Sequence, residues 1–318
     1  MGVYADGAIL TFGMQFVGFV IAAILQTEVF YDILGGVNFL AIGSLSILSS
    51  QEITTDASTE GASGIDKNTM FRGLFAVSRG WLLVFLAWRA HHRKGDARFD
   101  GVRDDPPMFF VYWMVQAVWV YCVSLPVLVL AASETATPAV EEIAGSKIQY
   151  SSLMLAGMAI SIYIEIRSDI VKAQWVAKGR PGGFCTKGPW LFSRHPNYAA
   201  EILTWVYAAL YAAGESGWSL ESMLIASISP LFTMQILLNT SGTGVWNAEG
   251  KNLRRYYEHS DPSVAMCYDA YRKTVPPLFP VFLFPYEHLP LGIKRNFCFE
   301  WERYEYKPSR RGKTQKND

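Results

Sequence analysis

Long apolar stretches, separated by short blocks that gather nearly all the charge, set the pattern of this 318-residue chain. Windows with few or no charged residues cover 8–25, 29–48, 70–88, 108–131, 148–166, 197–213 and 219–238. A hydrocarbon core about 30 Å thick takes roughly 20 apolar helical residues to cross, and a segment in lipid must satisfy its own backbone hydrogen bonds. The pattern therefore predicts an all-α fold, a multi-pass transmembrane helical bundle of about seven spans. Residues 275–293 are also apolar, but Pro276, Pro277, Pro280, Pro285 and Pro290 interrupt them. Prolines at that density oppose a continuous helix and predict a re-entrant or interfacial segment. The expected organisation is a single transmembrane domain over 1–306 and a solvated, disordered basic tail over 307–318. The first window lacks a basic flank and a cleavage site, so it reads as a retained span and not a signal peptide.

The loops choose a side. Arg89, Arg93, Lys94, Arg98 and Arg103 follow the third window, and Arg167, Lys172, Lys178, Arg180, Lys187 and Arg194 follow the fifth. Lys251, Arg254 and Arg255 follow the seventh, whereas the alternate loops carry Glu52, Asp56, Glu60, Glu134, Glu141, Glu142, Glu215 and Glu221. Lys/Arg excess marks the cytoplasmic face, which predicts an outside N-terminus and a cytoplasmic C-terminus. The loop 26–32, with only Glu28 and Asp32, adds no weight either way.

Composition changes little. A 51% hydrophobic content is close to that of soluble domains, so it is the distribution that argues for a membrane. Zero net charge gives no case for nucleic-acid binding. The scattered Cys122, Cys185, Cys267 and Cys298 suggest neither a zinc site nor a disulfide framework, and no metal is expected.

Candidate chemistry starts with misplaced charge. Arg79 lies near the middle of the third window, where an intramembrane arginine faces the bundle interior and finds a partner. It reads equally as an anion contact or as a polar clamp between helices. Glu165 ends the fifth window and reads as interfacial. The basic loop 166–198 suits an anionic, phosphate-bearing ligand, although topology alone accounts for its charge.

The segment R-H-P-N-Y at 194–198 is sharper. Pro196 pushes His195 out of helical geometry and itself opens a helix. Asn197 and Tyr198 then fill the first turn, with Glu201 one turn later on the same face. Arg194, His195, Asn197 and Glu201 converge at a helix N-terminus, which favours phosphate.

The segment G-P-W-L-F-S-R-H-P-N-Y-A-A-E-I-L-T-W at 188–205 resembles the signature of the DUF1295 family, within the steroid 5α-reductase C-terminal-domain group. E-I-R-S-D-I-V-K-A-Q-W at 165–175 resembles its E-x-x-x-D element, and 79–100 resembles its Trp/Arg helix and G-x-D-x-R-F stretch. Y-D-A-Y-R-K-T-V-P-P-L-F-P at 268–280 resembles its closing element. Ala200 stands where that family commonly has glycine.

The resemblance implies an NADPH-dependent reductase of a carbon–carbon double bond in a hydrophobic lipid or steroid-like substrate. Asp169, Lys172, Arg194, His195, Asn197, Glu201, Tyr268 and Arg272 would line the cofactor, within a part spanning about 165–280. Lys172, Lys178 or Lys273 would meet its phosphates. Tyr198 and Glu28 are the candidate proton donors. Expected partners are membrane lipids and a hydrophobic small molecule, in the endoplasmic reticulum for a eukaryotic source. R-H-P-x-Y also resembles a stretch of isoprenylcysteine and phospholipid methyltransferases, which implies S-adenosylmethionine as the alternative cofactor. Those enzymes often carry a Glu-Glu pair after the last span, whereas here Glu249 is followed by Gly250. A non-catalytic lipid-binding or scaffold protein is the third reading.

Overall fold

A computed structural model describes residues 2–54, 66–92, 97–135, 144–282 and 284–306. The acidic loop residues within 55–65 and 136–143, the basic pair Arg93 and Lys94, and the tail 307–318 lie outside the described residues. Among the described residues the regular structure is all helical. The seven predicted windows all fall on helices: α1 (Val3–Leu25), α2 (Tyr31–Thr54), α3 (Lys67–His92), α4 (Pro106–Thr135), α5 (Ala144–Ala177), α6 (Pro196–Glu215) and α7 (Leu220–Asn239).

Five helical stretches among the described residues are long and apolar enough to cross a membrane. They are Val3–Leu25, Tyr31–Ser50, Lys67–Trp88, Pro106–Glu134 and a stretch from Leu220 whose apolar part is α7. Helices α5 and α6 are outside that set. Glu165, Arg167 and Asp169 interrupt the end of α5, and Asn197 and Glu201 open α6.

The chain forms two compact units. The first comprises Met1–Ile162 and Leu203–Thr233, the second Tyr163–Ile202 and Met234–Asp318. In the first, α4 packs on α1 and α2, and α2 packs on α3. Ala22, Tyr31, Phe99, Phe109 and Trp113 make one of its apolar clusters. Several polar groups inside this unit pair with one another. Gln116 donates to Gln15 at 3.2 Å and to the Tyr31 carbonyl at 2.8 Å, and Gln15 donates to Asn38 at 3.1 Å. Arg72 donates through Nη2 to Glu134 and Ser50 and through Nε to Ser46, and Asn68 donates to the other Glu134 oxygen. Arg79 is fully buried, with its guanidinium 5.2 Å from the Phe39 ring centre and 4.7 Å from that of Trp205, and it donates to Ser78. Of its two readings, these contacts match the polar clamp, made largely of cation–π attraction.

The second unit is built from polar sequence. Residues 240–263, a polar stretch, supply α8 (Gly244–Tyr257) and the start of α9 (Pro262–Thr274). Gly244 is required where α8 begins. Its φ is 62°, and an added Cβ would lie 2.0 Å from the Leu237 carbonyl oxygen. Asp261 caps α9 by accepting from the Ser263 amide at 2.9 Å, and Pro262 follows at the first helical position. The proline-rich segment after α9 is irregular, ending in a short turn at Tyr286–His288 and in α10 (Leu291–Phe297).

Candidate functional site

The site is built where α6 begins. The helix starts at Pro196, as its fixed φ and missing amide hydrogen predict. The two residues before it are pinned through their backbones, with Arg194 N donating to Pro276 O and His195 N to Pro277 O, both at 2.9 Å. A proline carbonyl accepts as well as any other, so the irregular proline-rich segment can serve as this brace.

The side chains then meet those of α8 and α9. His195 Nε2 lies 2.6 Å from Glu249 Oε1, and both side chains are buried. Arg194 pairs with Glu300 and stands 3.9 Å from Glu249. Tyr268 OH donates to Glu249 Oε2 at 3.4 Å. Asn197 donates to Asp169 at 3.2 Å. Arg272 donates to Glu300 at 3.0 Å. Lys172, Arg194, His195, Glu249, Asn252 and Tyr256 help to line a cavity of about 20 Å³.

Burial alone would raise the pKa of Glu249, but His195, Arg194 and Arg272 outweigh it and hold this carboxyl below the usual range. Glu300 behaves likewise under Arg194, Tyr286 and Arg272. Glu249 is therefore an acceptor, which makes His195 Nε2 the protonated nitrogen and leaves Nδ1 to accept. Lys172 differs from the arginines. Its ammonium lies 4.2 Å from the Trp190 ring centre and 4.6 Å from that of Trp175, and burial brings its pKa down to about 8.

The structure thus gathers Asp169, Lys172, Arg194, His195, Asn197, Tyr268 and Arg272 in the second unit. Glu201 is half-buried on α6, and the Tyr198 ring lies parallel to His195 with centres 5.5 Å apart. Lys178 and Lys273 are exposed. Glu28 belongs to the first unit, where it pairs with Arg103 at 3.2 Å. Two members were missed as site residues. Glu249 sits with Val245, Leu253 and Tyr256 on the buried face of α8, so a carboxylate in an apolar stripe was its signal. Glu300 carries no local signal.

Three cations, Lys172, Arg194 and Arg272, meet three carboxylates, Asp169, Glu249 and Glu300, so the positive excess of the cluster comes with one more. Arg255, bonded to Asn252 and placed over the Tyr256 ring, adds a fourth cation. Arg194 Nε and Arg255 Nε are buried without an acceptor. This donor set fits a phosphate-bearing group. The cavity as it stands holds about one water molecule, so a dinucleotide requires displacement of what lines it.

Fold and site together define a multi-helix protein with membrane-crossing character and a buried cationic site at the start of one helix. The chain belongs to the DUF1295 family, described as a protein of unknown function, whose profile matches residues 18–275. Neither a curated protein nor a solved structure gives a significant match.

Proposed function

We propose that the chain is a membrane-embedded, NADPH-dependent reductase of a carbon–carbon double bond in a hydrophobic lipid or steroid-like substrate. The observation that carries this reading is the positive excess of the buried cluster, with Arg194 Nε lacking an acceptor and Lys172 held by ring faces. S-adenosylmethionine would add a sulfonium cation to that excess, which favours the nicotinamide cofactor over it. The wider resemblance to steroid 5α-reductases supplies the reaction class.

The bound cofactor would supply a hydride. Lys172, Arg194 and Arg255 would hold its phosphate charges, and the Asn197–Asp169 pair offers a donor and acceptors to neutral polar groups. Glu249 fixes the orientation of the His195 ring through Nε2. Tyr198, stacked on that ring, carries the phenol assigned to protonate the substrate. Glu28, ion-paired with Arg103, is the weaker candidate for this step. The loop charges put the site on the cytoplasmic side, where the cofactor is available, in the endoplasmic reticulum for a eukaryotic source.

The test is binding of NADPH and of S-adenosylmethionine to the purified protein in detergent, by calorimetry. Saturable NADPH binding that His195→Ala removes while the protein stays folded supports the reading. Selective S-adenosylmethionine binding, or binding of neither, overturns it.

A further inference from the structure

Two guanidinium groups and a phenol converge on one carboxylate. Glu300 Oε2 accepts from Arg194 Nη2 and from Tyr286 OH at 2.6 Å, and Oε1 accepts from Arg272 Nη2 at 3.0 Å. The planar forks of arginine match oxyanions, so these donors form an oxyanion cradle. A carboxylate brings only two oxygens, and Arg194 Nε is left buried without an acceptor. A terminal phosphate brings three and completes the set.

Arg194 and Arg272 lie within the family match, which ends at residue 275, whereas Tyr286 and Glu300 lie beyond it. Glu300 also follows a strained residue. Phe299 has φ of 61°, a left-handed backbone that a bulky side chain adopts only where its surroundings hold it. The three bonds to the neighbouring carboxylate add to the hold given by the Glu300 amide on the Lys294 carbonyl and by the Phe279 and Trp301 rings, and freeing Glu300 removes that added part.

We propose that Arg194, Arg272 and Tyr286 form a binding site for a phosphate or pyrophosphate group, and that Glu300 occupies this site as an internal competitor. The segment after residue 275 then sets the affinity of the cluster for its ligand. The proposal rests on the reductase reading only for the molecule that carries the phosphate. A purely structural counter-ion predicts the opposite response, because removing it would disorder the arginines and weaken binding.

The experiment uses the full chain in detergent, with sodium pyrophosphate and NADPH as separate probes at constant ionic strength. In Glu300→Gln the apparent Kd for pyrophosphate should fall about tenfold, as expected when a competing state is removed. The gain should vanish in the Arg272→Gln/Glu300→Gln double variant. No gain, or a gain that survives loss of Arg272, overturns the proposal. Hydrogen exchange on the wild-type protein keeps the test open if the variants fold poorly. Pyrophosphate should raise exchange around residues 297–301, and unchanged or slower exchange there counts against displacement. A gain for pyrophosphate without NADPH binding leaves the cradle standing and removes the reductase reading. Equal NADPH affinity in wild type and Glu300→Gln does the reverse. If nanodiscs containing phosphatidic acid compete with pyrophosphate while NADPH does not, the phosphate comes from a lipid headgroup.

Discussion

Arg72, partly buried, and Arg194, buried, are both paired with glutamate, yet their surroundings assign them different work. Arg72 places its bonds on Glu134, Ser50 and Ser46, and none of its nitrogens is buried without a partner. Arg194 shares Glu300 with Arg272, stands beside Glu249, and keeps a buried Nε with no acceptor. A satisfied network stabilises its fold and asks for nothing more. A cluster with surplus cations and an unmet donor is poised for an anion. Between these two arginines the difference lies in the balance of donors and acceptors, not in residue type.

The largest expected effect tests that contrast by removing one carboxylate from each cluster. Glu249→Ala leaves Arg194 and His195 buried beside no counter-charge and should cost about 3–5 kcal/mol. Glu134→Ala removes a carboxylate whose side chain is 22% exposed, and roughly 1–3 kcal/mol is expected. Chemical denaturation in detergent measures both, and equal losses would erase the distinction. Next in size, Lys172→Met should weaken NADPH binding about tenfold by loss of a charge-assisted contact, whereas Arg72→Met should leave the Kd unchanged.

A pH titration sharpens the same point. The Lys172 pKa is lowered to about 8, so its ammonium is lost from the folded protein as pH rises through that value. Between about 8 and 10.5 the unfolded chain binds the extra proton, so the cost of burying this charge, present below pH 8, is relieved as pH rises. Affinity for the phosphate-bearing ligand should move the other way and fall above pH 8. Lys172→Arg should flatten that fall in a binding series from pH 7 to pH 9.5. The smallest effect is expected at the exposed Arg254–Glu258 pair, where Glu258→Gln should change neither binding nor the denaturation midpoint measurably.

Legibility followed apolar content. Helices α1 to α7 could be read because each carries a long uncharged run, and α6 because Pro196 marks its start. The α8 helix was not, since a short amphipathic stretch such as 244–257 resembles a polar loop until its buried face is traced. His195 and Arg194 were accessible from their place before a proline. Glu300 was not, because nothing in the residues around it signals a carboxylate that closes a distant site. The limit was one of range: helix starts are written locally, and ion pairs between remote segments are not.

The contact between Arg194 and Glu300 spans 106 residues of chain. At translation rates of 5–20 residues per second, Arg194 is made about 5–20 s before its carboxylate partner exists. Between synthesis of Arg272 and of Glu300 the cluster lacks one carboxylate of the finished protein, and an anion has its freest access to it. A nucleotide that binds the nascent chain would meet no rival. Under the proposed function, biosynthesis would thus give the phosphate-bearing ligand a head start that the mature fold withdraws.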